Sequence, residues 1–352
     1  MSFLQPGRVR RWLVFVAGIG ALMPGLVTAA PKTDLIVLVN GDRITGEIKG
    51  LEHNRLRFST EHMGTVAIEW DKIAQLQSDQ YLLLEGPDGS RHYGQLLEGA
   101  GAAELRVRRN SSARVETVTM ASVVRAEPIL GGDFVDRLDG YVSAGFDTVK
   151  ANDRRSFDFA GGLSSRTRVR EWQLDASANL TDDNAEETSE RYQLHGSWHQ
   201  FRRNRDFYLG FTTLDRNSEL DLDLRTQLGL GYGRYLVQSN SAEWVTGAGL
   251  ALTHENYSRG ENTDSFEAFL STQFSIFRYD FPETDIGGSF SLLPSLTESG
   301  RVRAEGDLRA RYEFVDDLYF ELKLYGSYDS EPPLEGSERS DYGVVTSLGY
   351  SF

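Results

Sequence analysis

From about residue 137 to the last residue, apolar and polar side chains alternate in long runs. Trp172, Leu174, Ala176, Ala178 and Leu180 oppose Gln173, Asp175, Ser177 and Asn179. Leu222, Leu224, Leu228, Leu230 and Tyr232 oppose Asp223, Arg225, Gln227 and three glycines. Phe266, Ala268, Leu270, Phe274 and Ile276 oppose Glu267, Ser271, Gln273 and Ser275. Val302, Ala304, Leu308, Ala310, Tyr312 and Phe314 oppose Arg303, Glu305, Asp307, Arg309, Arg311 and Glu313. A period of two predicts β-strands with one apolar and one polar face. Twelve such segments start near Asp139, Arg154, Glu171, Arg191, Asp206, Asp221, Glu243, Ser265, Asp285, Arg301, Leu318 and Tyr342.

Strands this long exceed the needs of a soluble sandwich and suit an antiparallel transmembrane β-barrel, apolar toward lipid and polar toward the lumen. Aromatic residues gather near the segment ends, among them Trp172, Tyr208, Tyr235, Trp244, Tyr279, Phe314 and Tyr350, where interfacial girdles belong. Connections alternate between short ones (168–170, 203–205, 238–242, 280–284, 316–317) and longer polar ones, the pattern of inner turns and outer loops. The terminal strand, Tyr342 to Phe352, is predicted to close the barrel against the strand near Asp139. It would carry an assembly signal at Tyr350 and Phe352.

Residues 33–129 alternate in shorter runs with turn residues between them, such as Asn40-Gly41-Asp42. The region repeats itself. Asn40 to Gly46 resembles Asp88 to Gly94, Leu56-Arg57-Phe58 resembles Leu105-Arg106-Val107, and Val66 to Ile73 resembles Glu116 to Val123. An offset of 48 to 50 residues throughout predicts a duplicated unit of about five strands, a tandem small β-module of the SH3 or Sm-like type. His53, His62 and His92 are scattered through it and read as surface residues. Pro128 and Gly131-Gly132 mark a linker at 130–137 before the barrel at 138–352.

Composition adds an address. Arg8, Arg10 and Arg11 precede an apolar core from Trp12 to Leu22, and Val27-Thr28-Ala29 offers small residues for cleavage. Residues 1–29 therefore read as a secretory signal, the apolar run being too short to span a bilayer. The net charge of −15 becomes more negative once those arginines are removed, which argues against a nucleic-acid partner. There is no cysteine, hence no disulfide or thiolate site.

Candidate chemistry is sparse. His195, Ser197 and His199 share one strand face, but alternate residues lie about 7 Å apart, too far for a serine–histidine hydrogen bond. The acidic loop of Asp182, Asp183, Glu186, Glu187 and Glu190 has no calcium-loop spacing and reads as solvated. No catalytic residue, metal site or cofactor is expected. The predicted lumen-lining residues are Asp175, Asp223, Arg225, Glu267, Arg303, Glu305, Asp307, Arg309, Arg311 and Glu313. Their charges of both signs either line a water-filled pore or pair across it.

Asn40 to Gly46, Gly64-Thr65-Val66, Trp70-Asp71-Lys72-Ile73 and a barrel ending in Phe352 together resemble the salt-induced outer-membrane proteins, domain of unknown function 481. The resemblance implies an outer-membrane location in a Gram-negative cell and supplies no catalytic residue. The function expected is a narrow passive channel for ions or small solutes. The alternative is a plugged barrel serving envelope stress through its periplasmic module, and a lipid-modifying enzyme ranks behind both. Expected partners are outer-membrane lipid, the barrel-assembly machinery and a periplasmic protein or cell-wall ligand of residues 33–129.

Overall fold

The computed structural model describes residues 32–350 apart from 100, 102, 110–114, 130–137, 150–153, 168, 183–188, 203, 259–261 and 332–338. The expected leader, the linker, most of the acidic loop and Phe352 lie outside the described residues.

The short alternating runs of the N-terminal region fold into β1 (Asp34–Leu38), β2 (Arg43–Glu52), β3 (Arg55–Ser59), β4 (Thr65–Glu69), β5 (Ile73–Glu85), β6 (Arg91–Leu97), β7 (Glu104–Arg108), β8 (Val115–Thr119) and β9 (Arg125–Pro128). They form one small β-barrel module with strand order β4-β3-β2-β1-β5-β6-β7-β8, while β9 pairs with both β2 and β5. The sequence repeat is structural. Single 3-10 turns at Trp70–Lys72 and Met120–Ser122 occupy equivalent places in the two units. They also touch, the Trp70 indole N–H donating to the Met120 carbonyl at 2.8 Å.

The two units are fused rather than strung in tandem. The first part of β5 pairs with β1 (Leu35 opposite Gln77). Its second part pairs with β6 (Leu82 opposite Gly94) and β9 (Leu82 opposite Pro128). Ile36, Ile48, Leu56 and Phe58 of the first unit share one core with Leu84, Leu96, Leu105 and Val107 of the second. Each such side chain contributes roughly 1.5–3 kcal/mol by leaving water. Asp34 is buried beneath this sheet, accepting from the Ser78 hydroxyl at 2.7 Å and the Ile48 amide at 2.8 Å. Burial raises its carboxyl above the ordinary range, opposed by those donors.

The long runs form β10 (Asp139–Val149), β11 (Arg154–Arg166), β12 (Arg170–Asp182), β13 (Ser189–Phe201), β14 (Asp206–Asn217), β15 (Leu222–Gln238), β16 (Ala242–Tyr257), β17 (Thr263–Arg278), β18 (Thr284–Pro294), β19 (Val302–Val315), β20 (Leu318–Asp329) and β21 (Ser340–Tyr350). They pair in sequence order as one antiparallel twelve-stranded sheet, compatible with a barrel. No helix of the described residues is long and apolar enough to cross a membrane.

Residues directly opposite in a ladder share a face, so the register carries each face from strand to strand. The concave face is identified by contacts that skip strands, such as Arg303 of β19 to Glu267 of β17 at 2.6 Å. On the convex face Leu228, Leu230, Leu250, Leu252, Leu270, Val344 and Leu348 are all exposed.

One expectation is corrected. Asp223 lies in a bulge where the β15–β16 register shifts between Leu222 and Leu224. The alternation slips there, so Leu222 is buried and Asp223 is exposed at the strand end. Among the described residues β10 pairs with β11 and β21 with β20, and no ladder is seen between β10 and β21. The concave positions Gly343 and Gly349 of β21 lie under the Tyr325 and Tyr319 rings of β20.

Candidate functional site: the concave face and its module-side mouth

Three layers line the concave face. Farthest from the N-terminal module is a cluster of charges. Arg303 donates to Glu267 at 2.8 and 2.6 Å, and Arg225 donates to Glu255 at 2.6 Å. Arg301 donates to Asp329 at 2.9 Å and to Glu298 at 3.0 Å, and its guanidinium lies 3.9 Å from Glu255. The side chains of Glu267, Glu255 and Arg301 are 1%, 3% and 4% exposed. Three arginines face four carboxylates here, so burial is tolerable only because nearly every charge has a partner.

The middle layer is aromatic. Phe211 of β14 meets Phe269 of β17 edge-on, with centroids 5.4 Å apart, across the intervening strands. Glycines make the room: a Cβ on Gly231 would lie 2.5 Å from the Ala248 carbonyl oxygen and 2.7 Å from the Phe269 ring.

The third layer faces the module. His199 sits edge-on to Phe207, centroids 5.4 Å apart, and Phe207 lies 5.6 Å from Tyr235. Their floor is built from turns of both regions. Arg166, at the end of β11, pairs with Glu127 of β9, donates to Glu171 at 3.0 Å and lies over the Phe201 ring. His53 approaches Glu243 to 3.7 Å and the Phe277 ring to 5.0 Å. The Tyr279 hydroxyl donates to the His53 carbonyl at 2.7 Å, and Lys72 meets Asp280 at 2.7 Å. Gly89, at φ +77°, packs on the 204–205 turn, where a Cβ would meet the Arg205 nitrogen at 2.9 Å. Burial lifts the Glu127 carboxyl to about 7, against the pull of Arg166 and Arg125. The Glu243 carboxylate holds His53 above its ordinary value.

The remaining predicted residues lie on another part of the same face. Asp175 opposes His195 and accepts from the Gln173 amide at 2.8 Å. Glu305, Asp307 and Arg309 are exposed, with Arg309 3.5 Å from Glu321. Arg311 stacks on Tyr319 at 3.7 Å. Glu313 accepts the backbone amides of Glu283 and Asp317 at 3.0 and 2.7 Å, binding two module-side turns together. Tyr350 opposes Leu318 and is exposed. His195 contacts Thr213 at 3.3 Å. Among the described residues no hydrogen bond joins it to Ser197.

Sequence reasoning missed Glu255, Arg301 and Asp329, the inward Phe211 and Phe269, and the docking role of His53, which it read as a free surface residue. Extending the phase of Glu267 two residues along β17 would have found Phe269. Extending the phase of Gly247 and Gly249 along β16 would have found Glu255.

Fold and site define a class: a small duplicated β-module seated on one end of a twelve-stranded antiparallel sheet with a polar concave face and an apolar convex one. The chain belongs to the family described as protein of unknown function, DUF481, whose model matches residues 142–352. The module residues that carried the resemblance, Asn40 to Ile73, lie outside the matched span. No curated protein matches. Among solved structures, a chain titled bacterial polysaccharide outer membrane secretin is similar at 12% identity and a TM-score of 0.34, over 77% of this chain and 96% of that one.

Proposed function

We propose that this chain is an outer-membrane β-barrel protein that provides a narrow passive route for ions or small solutes, with its N-terminal module in the periplasm. The observation that carries this is the contrast between the two faces of one sheet. Leu230, Leu252 and Leu348 on the convex face are 71%, 57% and 67% exposed, a surface that only lipid or a partner would cover. On the concave face Asp158, Gln173, Ser177, Asn179, Glu305, Asp307, Arg309, Lys323 and Ser327 stay open to water. Such a division suits a membrane barrel with a hydrated lumen. Assembly would proceed through the barrel machinery, and the role proposed is not enzymatic.

Conductance of the purified chain in planar bilayers tests the route: stepwise currents above background are expected, and a well-folded sample that stays silent refutes it. A second reading, a plugged barrel that works through its module, draws on the Phe211–Phe269 contact and the paired charges beyond it. It predicts silence together with capture of a periplasmic partner by residues 33–129.

A further inference from the structure

Between the Phe211–Phe269 contact and the module-side turns, the concave face holds a cavity of about 350 Å³, at the small end of small-molecule sites. Its walls differ in chemistry. Phe201, Phe207 and Tyr235 form an aromatic flank. Gln273 of β17 with Ser289 and Ser291 of β18 supply an amide and two hydroxyls on the other flank. Neither the Gln273 amide nor the Ser291 hydroxyl makes a hydrogen bond among the described residues.

Charge narrows the ligand. Two carboxylates border the cavity, and both are already matched: Glu171 by Arg166 at 3.0 Å and Glu243 by His53 at 3.7 Å. The third ionisable liner, His199, lies against the Phe201 and Phe207 rings, so an ionic ligand would have to break one of these pairs or charge an imidazole held between aromatic rings. A neutral molecule with an apolar face and a rim of hydroxyls meets both flanks. Its C–H face can lie on Phe207 and Tyr235, while its hydroxyls, each donor and acceptor, suit an amide and serine hydroxyls.

We propose that this cavity binds a small neutral sugar, of one or two rings. The inference deepens the solute-route reading and rests on it for access to the concave face. Binding in detergent does not require conduction, which keeps the two separable. The full chain in detergent is titrated by calorimetry with glucose and with sucrose, and with sodium chloride as the ionic control. Saturable heat with a Kd on the order of millimolar is expected for at least one sugar and none for the salt. Gln273→Ala and Ser291→Ala are each expected to weaken binding by up to about tenfold, the worth of one hydrogen bond. Each variant is first shown to keep the different electrophoretic mobilities of unboiled and boiled protein that mark a folded barrel. Absence of saturable heat to about 100 mM sugar overturns the proposal. So does unchanged affinity in both folded variants. Sugar binding without bilayer conductance leaves the site standing and removes the route, whereas conductance without sugar binding does the reverse.

Discussion

Glu267 and Arg303 show what a single pair does on this face. Glu267 is 1% exposed and its two oxygens accept three hydrogen bonds from Arg303 and one from the Thr253 hydroxyl. Replacing Glu267 by Ala leaves the half-buried Arg303 guanidinium only the more distant Glu255 carboxylate at 4.0 Å, at a cost of up to roughly 3–5 kcal/mol. We expect the temperature at which the unboiled band converts to the boiled one to fall in Glu267→Ala, and the double variant Glu267→Leu with Arg303→Met to recover much of the loss. An unchanged conversion temperature would show that the pair is solvated. The polar phase of both residues was legible because their strands alternate cleanly. Their pairing was not, since it joins strands two apart and depends on curvature. Asp223 misled for a local reason: one bulge moved it off the face that Arg225 and Gln227 occupy.

At the scale of the element, glycines on β15 and β16 allow aromatic rings to cross the sheet. Gly231→Val puts branched atoms where the Phe269 ring and the Ala248 carbonyl already sit. Displacing a buried Phe costs about 3–5 kcal/mol in the truncation analogue. We expect a reduced yield of folded barrel, read as the unboiled band, with the module's own unfolding transition unchanged. Gly145→Val on β10, where a Cβ would meet only the Asp158 Cβ at 3.8 Å, is expected to be tolerated. The strand segments and the repeat were readable because alternation and a nearly even offset can be seen in the chain itself. The sharing of β5 between both units was not. Its 13 residues carry two successive pairings, and no sequence periodicity marks where one gives way to the other.

At the scale of the whole molecule, the module is held by acid-responsive contacts. Glu127 has its carboxyl raised to about 7 by burial, and His53 is raised by Glu243. Both groups bind a proton more tightly when docked. Their stabilising share is therefore complete at low pH and is lost as pH climbs, for Glu127 between its ordinary 4.5 and about 7, and for His53 from 6.5 upward. Proteolysis within residues 130–137 is expected to run faster at pH 8 than at pH 5, after correction for the protease's own pH profile, and Glu127→Gln is expected to flatten the difference. A flat profile in the wild type would remove the acid response. The two regions were separable in the sequence by run length alone. Their contact was not, because it is made of turn residues such as His53, Tyr279 and Asp280, none of which follows a pattern.

The shared β5 has a consequence for how this architecture can change over generations. A repeat joined to its twin by a linker can be lost, multiplied or exchanged as a cassette. Here either half, if cut away, would take with it strand partners that the other half needs, and with the Trp70–Met120 contact one wall of the other's interior. The duplication has thus become irreversible: the pair can diverge residue by residue, as Phe58 and Val107 already have at equivalent places, but it can be inherited only whole.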